Sequence, residues 1–200
     1  MADAAAAGPA AARPSVVAVV GSPRVRSNTA ALVAAALEEL EAAGACCETI
    51  DLRKVSIAPC LAHATCAELQ ACAIEDDAEG VLDRVYAADC LVLGTPVYYE
   101  NVSAQMKAFI DRNLFRYHHD QWLPAKAVGL VAVTGETGLQ DALNALRRYV
   151  VLSTDHDVRV LTCGGLASDA GAAAQDGELL ARARSLGRGL VEELGLTPAG

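Results

Sequence analysis

Apolar residues along this chain follow two alternating rhythms. Short, largely apolar runs occur at VVAVV (16–20), CETIDL (47–52), CLVLGT (90–95), AVGLVAVT (127–134) and DVRVLTC (157–163). Between them lie longer stretches whose apolar positions recur three to four residues apart, near 28–43, 78–88, 103–115, 138–152 and 174–194. The first rhythm predicts strands buried on both faces, and the second predicts helices. Their alternation predicts a parallel sheet covered by helices on both sides.

Five strands with five helices is the count of a flavodoxin-like α/β domain, a doubly wound five-stranded parallel sheet of order 2-1-3-4-5. The expected domain runs from 15 to 196, after an Ala/Pro-rich tail over 1–14 that reads as disordered. Two connections are long enough to suggest a role. One is 53–77, rich in cysteine, and the other is 115–126, containing RYHHDQW.

Composition narrows the partners. A chain of 200 residues with 53% apolar content and a net charge of −9 can bury one substantial core. The negative charge argues against nucleic acid and against an anionic membrane surface. No apolar run reaches membrane-spanning length, and the first fourteen residues do not read as a signal peptide. Seven cysteines are an odd number for a disulfide framework, so a reduced, cytoplasmic protein is expected.

Three loops carry candidate chemistry. After the first strand, GSPRVRSNT (21–29) sets hydroxyls and arginines at a helix start, where free backbone N–H groups favour an anion. An ordinary helix cap with two surface arginines is the plain alternative. The spacing is neither G-x-G-x-x-G nor G-x-x-x-x-G-K-[ST], which leaves a mononucleotide phosphate. After the third strand, GTPVYYENVSAQMKAFIDR (94–112) offers a stiff turn, two tyrosines and backbone groups around Asn101 and Val102. After the fourth, VTGETG (133–138) brings glycines that allow close backbone approach. In doubly wound sheets such loops meet at the carboxyl ends of the strands where the order reverses.

In these motifs the chain resembles the NADPH-dependent FMN reductase family, in particular its iron–sulfur flavoprotein branch. The resemblance runs from about 16 to 194, through DGELLARARSLGRGLVEEL at the end. It implies FMN, with NAD(P)H as co-substrate. Residue by residue it assigns Ser22, Arg24, Ser27, Asn28 and Thr29 to the phosphate and ribityl end. Pro96, Val97, Tyr98, Tyr99, Asn101 and Val102 fall to the isoalloxazine, and Thr134 and Gly135 to its pyrimidine side. It further implies a homodimer or homotetramer. Asp111 and Arg112 are expected in salt bridges or subunit contact, and His118 and His119 are candidates for the open face of the site.

The cysteine loop CLAHATCAELQACAIEDD (60–77) resembles that branch's cluster motif, C-x2-C-x2-C-x4-7-C before an acidic pair. His63 stands where the second cysteine belongs, leaving Cys60, Cys66 and Cys72. An iron–sulfur cluster, tetrahedral zinc and a metal-free loop all remain open, with the metal-free loop preferred because clusters are held mostly by four thiolates. Cys46, Cys47, Cys90 and Cys163 read as core. The expected activity is FMN-dependent NAD(P)H oxidation with a flavin, quinone or similar small acceptor. No protein acid, base or nucleophile is assigned. An FMN electron carrier and a non-catalytic flavin-binding sensor are the alternatives.

Overall fold

The computed structural model describes residues 13–197. The expected tail lies outside the described residues up to Ala12. The chain is tied down from Arg13, whose guanidinium donates to the Gly44 carbonyl at 2.7 Å, and Pro14, whose carbonyl accepts from Cys46 N–H.

Five parallel strands form one sheet: β1 (Ser15–Val20), β2 (Cys46–Asp51), β3 (Cys90–Pro96), β4 (Ala127–Thr134) and β5 (Arg159–Leu166). Their order is β2-β1-β3-β4-β5, the doubly wound order expected from the alternation. Helices α1 (Asn28–Ala42) and α6 (Gly177–Glu193) cover one face. On the other face lie α2 (Ala78–Val85), α3 (Ala104–Arg112) and α5 (Leu139–Leu152). The short α4 (Leu114–His118) follows α3.

Strands that read as uniformly apolar still divide their side chains between two cores. Val17, Val19, Leu91, Leu93, Val128 and Leu130 join one cluster, while Val16, Ala18, Val20, Val92, Ala127 and Val131 join the other. This is the two-residue alternation of a pleated strand, buried here on both sides. Gly94 in β3 lets α1 approach the sheet, because a Cβ there would stand 2.6 Å from Val33 Cγ2 and 2.9 Å from Thr29 Cγ2.

Several boundaries differ from the sequence expectation, each for a local reason. The helix predicted over 103–115 breaks at Asn113, whose side chain donates to the Phe109 carbonyl and accepts from the Tyr149 hydroxyl at 3.0 Å. The predicted loop with RYHHDQW therefore begins as α4. Strand β5 starts later and runs through Gly164 and Gly165, which pair with Ala132 and Val133 rather than ending the strand. Edge strand β2 is mostly solvent-facing, so Cys46 is exposed and Cys47 half-buried instead of core, while Cys90 and Cys163 are buried as expected. Among the described residues no helix is long and apolar enough to cross a membrane.

Candidate functional site

A cleft of about 270 Å³ opens at the carboxyl ends of β1, β3 and β4. Its position follows from topology: the crossovers from β1 and β3 leave on opposite faces, and the loops part between them. The loop after β1 forms one wall with Ser22, Arg24, Asn28 and Thr29. The loop after β3 forms another with Pro96, Val97 and Tyr98, and Val133 with Gly135 closes the side of β4. Ala167 and Ser168, beyond β5, complete it.

The β1 end of the cleft is built for an anion. Ser27 caps α1, its hydroxyl accepting from Ala30 N–H at 3.0 Å. The N–H groups of Asn28 and Thr29 take part in no hydrogen bond among the described residues. They sit at the positive end of a helix of 15 residues. Arg24 makes no ion pair among the described residues, and its guanidinium rests 3.4 Å from the Ser168 carbonyl.

The middle of the cleft is shaped by apolar surface and fixed backbone. Val97 N–H donates to the Val133 carbonyl at 2.8 Å, which aligns the two loops. Ser103 caps α3 and also donates to the Gly21 carbonyl, while its own N–H donates to Thr95 Oγ1 at 3.0 Å. These buried bonds lock the ends of β1 and β3 to the start of α3. Gly135 N–H has no partner among the described residues, leaving a donor on the β4 side.

Several residues assigned from sequence stand outside this wall. Ser27 spends its hydroxyl as the helix cap. Asn28 reaches the wall, but its amide donates to the carbonyls of Ala167 and Asp169 at 2.9 and 2.8 Å and accepts from Ala173 N–H. It is a strut to the β5 loop. Asn101 and Val102 have no backbone donors to offer, since Asn101 N–H bonds the Tyr98 carbonyl and Val102 N–H bonds the Asn101 side chain. Val102 is in the core, and Tyr99 projects wholly into solvent. Thr134 turns inward, donating to the Thr137 carbonyl and accepting from Glu136 N–H. Val133, Ala167 and Ser168 were not anticipated. The last two reach the cleft because β5 continues through Gly164 and Gly165 to Leu166.

The cysteine loop lies elsewhere, against α3. Arg112, buried, pairs with Asp76 and donates to the Ala58 and Ile74 carbonyls and to Cys72 Sγ at 3.3 Å. Burial pushes the Asp76 carboxyl up, but bonds from Arg112, Ala58 N–H and Ala78 N–H outweigh it and hold the group below its ordinary value. Asp111 instead pairs with Lys107 on the surface. His119 also belongs to this side rather than to the cleft. It stacks on Phe115 at 4.2 Å, with its ring nitrogens 2.8 Å from the Phe115 and Leu69 carbonyls, and His118 is exposed.

The candidate metal ligands do not converge. Cys66 is buried at the start of a 3-10 turn, Cys72 faces Arg112, Cys60 is half-buried and His63 is exposed. Among the described residues no three His, Cys, Asp or Glu side chains stand together as a metal site. Three thiols arranged in this way do not fit a four-thiolate cluster.

A larger apolar cavity of about 550 Å³ lies between the ends of α3 and α5, with Cys60, Leu114, Tyr117 and Leu152 in its lining. Its buried polar groups are already paired, Tyr149 to Asn113 and Asn113 to Phe109. It offers no anion-binding end.

Fold and cleft together define a doubly wound α/β protein with a nucleotide-type site at its topological switch point. Residues 14–171 match the profile of the NADPH-dependent FMN reductase family, and the chain belongs to that family. An iron–sulfur flavoprotein of Archaeoglobus fulgidus is 38% identical over 122 residues, covering 61% of this chain and 55% of that protein. One from Methanosarcina thermophila is 31% identical over 120 residues, covering 60% of this chain and 63% of the relative. The matched stretch thus spans little more than half of such relatives. Among solved structures, the NAD(P)H:quinone oxidoreductase of Methanothermobacter marburgensis superposes with a TM-score of 0.69 at 18% identity, over 90% of this chain and 98% of that one. An apo NADH:FMN oxidoreductase gives 0.65 at 20% identity, over 92% and 90%. At these identities the structural likeness shows the fold.

Proposed function

We propose that the cleft binds FMN and that the chain is an oxidoreductase passing electrons from NADH or NADPH to a small acceptor such as a flavin or quinone. The observation that carries this reading is the cleft itself, a helix N-terminus and Arg24 at one end and an apolar slot bounded by Pro96, Val97 and Val133 beyond it. Unpaired donors beside a flat apolar wall suit a phosphate joined to an aromatic heterocycle. Membership of the FMN reductase family supports the same assignment.

FMN bound there would supply the redox chemistry, namely hydride acceptance and electron release. The chain's task is placement. Ser22, Arg24 and the first N–H groups of α1 would hold the phosphate, while the loop after β3 would flank the ring. The free Gly135 N–H would stabilise negative charge developing on reduction, an effect that is strongest where water is scarce.

The likeness to iron–sulfur flavoproteins favours a second reading, an FMN electron carrier served by protein donors. Anaerobic addition of NADPH to the FMN-loaded chain separates the two. The enzyme reading expects rapid loss of flavin colour and many turnovers with a quinone; bleaching only by a reduced protein donor favours the carrier. A chain that takes up no FMN sinks both.

Seven free thiols suit a reducing compartment such as the cytoplasm. Exposed Leu61, Leu114, Tyr117, Val151 and Leu152 near the larger cavity suit a homodimer or homotetramer. Light scattering at micromolar concentration checks this, and a monomer would refute it.

A further inference from the structure

Tyr99 is 105% exposed, and it directly follows Tyr98, which lines the cleft. Its backbone is costly. Tyr99 has φ 49° and Glu100 φ 58°, so two successive non-glycine residues occupy the left-handed region. They form the centre of a two-residue turn closed by Tyr98 N–H to the Asn101 carbonyl at 3.0 Å and Asn101 N–H to the Tyr98 carbonyl at 3.1 Å. Such turns favour Asn-Gly. Gly138 holds this one from behind, since a Cβ at Gly138 would come within 2.5 Å of Glu100 Cα.

Among the described residues no packing repays this strain. The Tyr99 ring packs on no core, and its hydroxyl makes no hydrogen bond among the described residues. Glu100 is exposed beside it, and Glu136 is exposed on the loop that Gly138 ends. Neither carboxylate makes an ion pair among the described residues. The loops after β3 and β4 that flank the cleft thus carry an exposed ring and two unpaired carboxylates, whereas Arg24 stands in the loop after β1.

Resting on the FMN reading above, we propose that Tyr99, with Glu100 and Glu136, forms the docking platform for the electron acceptor and selects planar aromatic acceptors that are uncharged or cationic. A free ring face stacks on a planar acceptor, and its negative quadrupole together with the carboxylates attracts positive charge. Tyr99 is a positioning residue. Electron transfer itself needs nothing from its hydroxyl.

The test compares FMN-loaded wild type with Tyr99→Ala, Tyr99→Phe and a Glu100→Gln/Glu136→Gln double variant. Acceptors are an uncharged naphthoquinone, a cationic phenothiazine dye and a sulfonated anthraquinone, at saturating NADPH. Tyr99→Ala is expected to raise KM for the first two roughly five- to tenfold, with kcat changing by less than about twofold. Tyr99→Phe keeps the wild-type KM because it keeps the ring. The double variant narrows the preference for the cationic dye over the sulfonated acceptor, and high salt narrows it in the wild type. Tyr99→Gly gives an independent reading, with Tm rising as strain is relieved while KM worsens. Unchanged KM in Tyr99→Ala overturns the proposal, as does dissociation of an oligomer by that substitution, which would make Tyr99 a subunit contact. If the wild type takes up no FMN, the functional reading falls and this inference with it; loading and turnover with an indifferent Tyr99 overturns the inference alone.

Discussion

Single residues show most clearly how chemistry types read from sequence are redistributed by the fold. Asn28, assigned to the phosphate end, lines the cleft with a free backbone N–H, while its side-chain amide holds the β5 loop through partners 139 and 141 residues away. No local pattern reveals such a bond. Arg112, expected in a salt bridge, proves to be the buried fastener of the cysteine loop, its side chain 2% exposed and that of Asp76 7%. Replacing Arg112 by Leu leaves a buried carboxylate without its partner, for which a loss of about 3–5 kcal/mol is expected. Urea denaturation checks this, and protease cleavage within 59–73 should appear at the same time. The pH dependence follows from Asp76. Its folded value lies below the ordinary one, so its stabilisation is complete above about pH 5 and fades as pH falls below about 4. Asp76→Asn should flatten that acid limb in denaturation curves recorded from pH 7 downward. Thiol reactivity follows burial in the same way. Burial pushes Cys90 up to about 12, and burial with nearby Glu41 pushes Cys47 up to about 11. Brief iodoacetamide labelling of the native chain at neutral pH should modify exposed Cys46 and spare Cys90 and Cys163, with mass spectrometry as the readout.

At the scale of elements, the sequence was most informative where periodicity was unbroken. All five strands and the covering helices could be read because uniformly apolar runs and 3.6-residue stripes are strong signals. Breaks were harder, because they depend on tertiary partners. Asn113 ends α3 through Tyr149 of α5, and β5 passes beyond its expected end at Cys163 through two glycines that pair with β4. That continuation carries Ala167 and Ser168 to the cleft, so the misplaced strand end and the missed site residues have one cause. Close packing between elements gives two predictions. Gly94→Ala drives a methyl into Val33 and Thr29 of α1, for which roughly 1–3 kcal/mol of destabilisation is expected by thermal denaturation. Gly138→Ala places a Cβ against Glu100 at a φ of 76°, and should loosen the loop after β3. Its expected signature is weaker FMN binding in a fluorescence titration.

The whole molecule joins two regions with separate origins. The cleft at the switch point is imposed by strand order, and its class could be inferred from sequence because the loop motifs after β1 and β3 occur in the right order. The cysteine loop looked more conspicuous, yet it is organised around Arg112 and lies apart from the cleft. Its sulfur-rich spacing resembles a ligand set in sequence, but Cys66 turns into the protein and His63 turns out. Spacing alone does not specify those directions. The central claim is that FMN occupies the cleft between the loops after β1, β3 and β4. Hydrogen exchange read by mass spectrometry, with and without saturating FMN, tests it most directly. The account predicts slowed exchange in 22–30, 96–98, 134–136 and 167–169, with 59–73 unchanged. Protection confined to 59–73 or to the cavity between α3 and α5, or no protection anywhere, would contradict it.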